Sequence, residues 1–103
     1  MMHLVSAILM LAAQVDRGQW FKSLMQPDNH ISCCDVSDCE RTQAEYTDGA
    51  WWAIVEKKWR LMPPEKILTH PTSLDGEAYV CHGHGTPTYD AVIYCFVPPT
   101  MGS

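Results

Sequence analysis

The chain has 103 residues, 47% of them apolar and 18% charged, which fits one small globular domain and excludes collagen, coiled coil and disorder. Seven Lys and Arg stand against twelve Asp and Glu, a net charge of -5, so the protein's own field opposes nucleic acid and anionic lipid. Five cysteines in so short a chain imply covalent or metal staples for a thin core.

Leu4 to Ala13 is an uncharged, almost wholly apolar run followed by the polar Gln14, Asp16 and Arg17. As a helix it would reach only about 15 Å, half a hydrocarbon core, so it is not a transmembrane span. It is expected to be a signal peptide over residues 1–13, with Ala12 and Ala13 near the cleavage point, or else an apolar helix packed on the domain. The cysteine content favours export to a secreted or periplasmic location; without a signal the protein would be cytoplasmic. Residues 14–99 then form one small Cys-rich domain, and 100–103 a short tail.

Asp16 and Gln19 have the spacing of a capping box, and Phe21, Leu24 and Met25 share a helical face, which predicts a short helix from Arg17 to Met25. Pro27 ends it. Gln26 to Arg41 is polar and reads as a loop held by Cys33, Cys34 and Cys39. A three-stranded meander follows: Gln43 to Thr47, Ala50 to Glu56 and Trp59 to Met62, with turns at Asp48-Gly49 and Lys57-Lys58. Pro63-Pro64 stops the sheet, and Glu65 to Leu68 is one helical turn or a brief strand. Glu77 to His82 and Ala91 to Val97 read as a second hairpin across the Gly83 to Asp90 loop. The expected fold is α+β, mostly β: a short N-terminal helix on a five-stranded antiparallel twisted sheet or partly open barrel, stapled by disulfides.

Cys81 and Cys95 fall in the two arms of that last hairpin, where a cross-strand disulfide would close a loop of about 15 residues and contribute about 3 kcal/mol. Adjacent Cys33 and Cys34 would form a strained ring with each other, so Cys39 is expected to take one of them, Cys34 being adopted. The odd thiol is buried, joins two molecules as a dimer, or belongs to a metal site. Cys81, His82, His84 and Cys95 are the alternative set for Zn or Cu, weighed against a polar loop with two exposed histidines, which is preferred; no cofactor is expected.

No Gly-x-Ser-x-Gly elbow, phosphate loop or His-Glu-x-x-His pair occurs, so no catalytic residue is assigned and an enzyme is not expected. Asp35, Ser37, Asp38 and Glu40 are oxygen-rich but lack the spacing of a calcium loop. Trp51, Trp52 and Trp59 are the candidate binding surface. Strand alternation sends Trp51 and Trp52 to opposite faces, so one of them should be at least partly exposed unless the N-terminal helix covers it. Lys57, Lys58 and Arg60 form a small basic patch beside them.

Trp20-Phe21-Lys22-Ser23-Leu24, Pro27-Asp28-Asn29, Ser32-Cys33-Cys34 and Asp38-Cys39, followed by Asp48-Gly49, Trp52, Trp59, Pro63, Lys66 and the closing Tyr94 to Pro99, form an ordered series of landmarks. Over residues 19 to 99 this resembles small secreted Cys-rich proteins of unknown function from alphaproteobacteria and their phages. The resemblance implies secretion and supplies no activity. The expected function is a non-catalytic binding module for a protein or envelope component. A metal-binding or redox protein using the Cys/His set, and a phage-borne inhibitor of a host protein, are the alternatives.

Overall fold

Aromatic and β-branched residues favour extended chain, and among the described residues six strands form, divided between two three-stranded antiparallel sheets. The computed structural model describes residues 19–36, 38–70 and 72–100. Residues 19–23 are helical (α1), and Cys33–Val36 form a short second helix (α2). Sheet I has the order β1 (Asp38–Thr42), β5 (Ala78–His82), β6 (Ile93–Val97). Sheet II has the order β2 (Ala44–Thr47), β3 (Ala50–Val55), β4 (Lys58–Leu61).

Sheet II is the predicted meander, and its two turns explain its register. Asp48 and Gly49 have φ of 53° and 79°, and Glu56 and Lys57 have 50° and 70°. Positive φ at both central residues matches the right-handed twist of the flanking strands, so each pair closes a two-residue hairpin. The second turn lies one residue earlier than predicted, because Lys58 already pairs with Val55.

Sheet I departs from expectation. The stretch read as a Cys-rich loop contains β1, whose Asp-Cys-Glu-Arg-Thr sequence carries no apolar alternation. It is a strand because all five of its residues pair with β5 and Cys39 is bonded to Cys81. The five-stranded sheet or partly open barrel is therefore corrected to six strands in two sheets, with no closed barrel among the described residues. One residue, Gln43, separates β1 from β2 where the chain changes sheets. Its carbonyl accepts from the Ile54 N–H at 3.1 Å, and the Thr42 hydroxyl donates to the Ile54 carbonyl at 2.6 Å.

Every residue of β5 is buried, since both faces of sheet I are covered. Tyr79, Cys81, Cys95 and Val97 pack under Trp20, Leu24 and Cys33 on one side. Val80, Ile93 and Phe96 pack on Ala53 and Val55 of sheet II, and on Met62 just beyond β4, on the other. Phe96 and Ile93 share that side because the register skips Tyr94: Cys81 faces Cys95, but His82 faces Ile93. The expected helix on the sheet is thus present, with Trp20 packed edge-on to Tyr79 at 5.1 Å. It ends at residue 23, two short of the prediction, and Met25 bridges Ser32 instead.

Both readings of Glu65 to Leu68 hold in part: Pro64–Lys66 form a 3-10 turn, and Ile67 makes a parallel bridge to Phe96. Lys66 ties this turn to the 25–32 loop through Gln26 at 2.9 Å and Asp28 at 2.9 Å. The expected signal peptide over residues 1–13 and the expected cap at Asp16 lie outside the described residues.

Candidate functional site

Alternation in sheet II sorts the three candidate tryptophans. Trp51 points inward, in ring contact with Phe96 at 5.7 Å and Tyr46 at 5.3 Å. Trp52 points outward and is 38% exposed; Trp59 and Leu61 on β4 share that face at 45% and 49%. In register, Glu45 lies opposite Trp52, Trp52 opposite Leu61, and Ile54 opposite Trp59. Trp52 and Trp59 are therefore diagonal neighbours, close enough for large side chains to flank one space. With Glu45, Thr47 and Asp48 they line a concavity of about 330 Å³. Leu61 and Glu45 carry no site assignment in the sequence, although the period-2 pattern of β2 and β4 is the signal that places them beside the indoles; Asp48, legible only as a turn residue, joins them from the β2–β3 hairpin.

The basic patch does not share this face. β4 alternates Lys58 and Arg60 against Trp59 and Leu61, so the two cations are carried to the other side. There Lys58 Nζ contacts Asp90 at 2.8 Å, and Arg60 donates to the Ala91 carbonyl at 2.9 Å. These pairs are half-exposed and pin the 83–92 loop to sheet II rather than offering an anion site.

Disulfides join Cys33 to Cys95 and Cys39 to Cys81, so the expected Cys81–Cys95 and Cys34–Cys39 pairs are corrected. Cys34 belongs to neither bond. Its Sγ donates to the Phe21 carbonyl at 3.1 Å and lies 3.5 Å from Cys39 Sγ, which sequence spacing brought close but did not bond.

The Cys81, His82, His84, Cys95 set does not converge. Cys81 and Cys95 are oxidised and lie in the cluster beneath Trp20, whereas His82, the next residue along β5, lies on the opposite face. Thiolates are needed for a zinc site of that kind, and neither cysteine offers one. Among the described residues no group of three or more His, Cys, Asp and Glu is arranged to hold a metal ion.

His82 and His84 instead line a cleft of about 650 Å³ with Glu40, Glu56, Arg41 and Lys57. His82 is buried, which corrects its expected place in an exposed loop, while His84 is exposed as expected. Nδ1 of His82 faces the Gly83 carbonyl at 2.6 Å and Nε2 faces Glu40 at 3.0 Å. Both partners only accept, so both bonds form together only in the imidazolium. Burial pulls the His82 pKa down, but those two bonds and the nearby Glu56 outweigh it, and the net displacement is upward. His84 meets Asp38 at 2.9 Å and Glu56 at 3.5 Å. The Gly85 N–H, 2.9 Å from Glu56, holds that carboxyl below the ordinary range. His82 thus ties β1 to the end of β5, and His84 ties β1 and the β3–β4 turn to the 83–85 segment.

No family model, curated protein or solved structure matches this chain. Among the described residues no helix is long and apolar enough to cross a membrane.

Proposed function

We propose that this protein is a secreted or periplasmic, non-catalytic binding module that engages a protein or envelope component through the outer face of sheet II. The observation that carries the reading is the trio Trp52, Trp59 and Leu61, three large apolar side chains exposed on adjacent strands. Tryptophan in such a position is enriched among residues that dominate binding energy. Two disulfides in a small domain support an oxidising compartment. The test is affinity capture from an envelope fraction with wild type and Trp52→Ala, both checked for an unchanged melting transition. Loss of the captured species with the variant supports the reading, and an identical capture profile overturns it.

A second reading, redox work by the cysteine set, is supported by Cys34 Sγ lying 3.5 Å from Cys39 Sγ. Attack by the Cys34 thiolate on Cys39 would form a Cys34–Cys39 bond and expel Cys81 as a thiolate, which solvent protonates, with no external oxidant. Mapping the alkylated cysteine after incubation at mildly alkaline pH tests it. Label on Cys81 favours exchange, whereas label confined to Cys34 removes it.

A further inference from the structure

The outer face of sheet II combines exposed indoles with negative charge that the fold leaves uncompensated. Three carboxylates elsewhere are met by cations, Asp28 by Lys66, Asp75 by Arg41 and Asp90 by Lys58. Glu45 and Asp48, which line the 330 Å³ concavity with Trp52 and Trp59, have no hydrogen-bond or ion-pair partner among the described residues. The nearest basic side chains of β4 are the two that alternation carries to the other side. Both indoles are partly exposed, and neither is in ring contact with another aromatic among the described residues, the ring contacts of sheet II belonging to Tyr46, Trp51 and Phe96.

An indole face presents the negative side of its quadrupole, so a cation held between two of them is attracted, more strongly as it is desolvated. Two carboxylates at the rim add a direct charge attraction, and the net charge of -5 adds long-range steering. Guanidinium suits this lining best, because it is weakly hydrated, stacks on aromatic planes and presents a planar fork to carboxylates.

We propose that Glu45, Asp48, Trp52 and Trp59 form a receptor for an arginine side chain on a basic segment of a partner protein. This rests on the reading of the sheet II face as a binding surface and names the chemistry it takes.

The experiment is titration of the intact, disulfide-bonded protein with a short synthetic peptide of alternating arginine and glycine, followed by tryptophan fluorescence. The same peptide with citrulline, the neutral isostere, is the control, and phosphocholine vesicles present a quaternary ammonium in its place. Saturable binding of the arginine peptide is expected, weakened about tenfold or more by citrulline, by Trp59→Ala, and by Glu45→Gln combined with Asp48→Asn. Asparagine is a fair replacement at Asp48, whose φ of 53° it tolerates. Equal binding of the citrulline peptide overturns the proposal, as does indifference to the charge variants. Binding to the vesicles but not to the peptide overturns the assignment to a protein partner. If Trp52→Ala abolishes capture from the envelope fraction while Glu45→Gln with Asp48→Asn leaves it intact, the arginine receptor fails and the binding face survives. If neither variant alters capture, both fail.

Discussion

Cys81 and Cys95 face each other across β5 and β6 as a register pair, yet each is bonded elsewhere, Cys81 to Cys39 and Cys95 to Cys33. A bond between them would have stapled two strands already held by their own ladder. The observed bonds instead attach the edge strand β1 and the helix α2 to that hairpin, across sequence separations of 42 and 62. In the chain-entropy model such loops are worth about 4 kcal/mol each, against about 3 for the short hairpin loop.

Replacing Cys33 and Cys95 together with alanine is expected to cost about 4 kcal/mol, and replacing Cys39 with Cys81 a similar amount. Urea unfolding with and without reductant measures both. A wild-type protein that keeps its full stability in reductant would show that the bridges do not hold the fold.

Adjacent tryptophans should behave oppositely. Trp51→Ala removes a ring packed on Phe96 in the core between the sheets and is expected to cost about 3 kcal/mol. Trp52→Ala, on the outer face, should stay within about 1 kcal/mol of wild type. Thermal melts of the two variants compare them directly, and equal losses would contradict the assignment of faces.

Stability carries a proton dependence from His82. Its folded pKa lies above the ordinary 6.5, because Gly83, Glu40 and Glu56 outweigh burial. The contribution is therefore fully present below about pH 6.5 and is lost as pH rises through the higher folded value. The advantage of wild type over His82→Gln in urea should be larger at about pH 6 than at about pH 8.5. Glu40→Gln should shrink the difference; an advantage equal at both pH values counts against the imidazolium.

Gly85 sits where no side chain fits. A Cβ there would lie 2.9 Å from both the Ala91 nitrogen and Glu56 Oε1 and 3.1 Å from the Tyr89 carbonyl. Gly85→Ala is expected to cost about 1–3 kcal/mol and to displace the N–H that stabilises the ionised Glu56. NMR titration should then find the Glu56 pKa raised towards the ordinary carboxylate value, and an unchanged Glu56 titration would contradict the role given to Gly85.

Local chemistry along the chain was enough to specify the meander, the turn at Asp48-Gly49, the second hairpin and the opposite facing of Trp51 and Trp52. Those features depend on neighbours within a few residues, on turn residues that accept positive φ and on a side-chain period of two. β1 was invisible because an edge strand of polar residues has no apolar pattern; its partner lies about 40 residues away in β5. The disulfide pairing was equally hidden, since five cysteines admit many pairings and strand register chooses among them. The concavity that joins Glu45 and Asp48 to Trp52 and Trp59 is a more local product, lying wholly within the meander. Each residue lies in a separate strand or turn, and the pairing of β2, β3 and β4 sets two carboxylates beside the indoles; the tertiary structure decides that both indoles stay partly exposed. Long-range pairing is decided by the free energy of the whole assembled core, and no window of sequence contains that quantity.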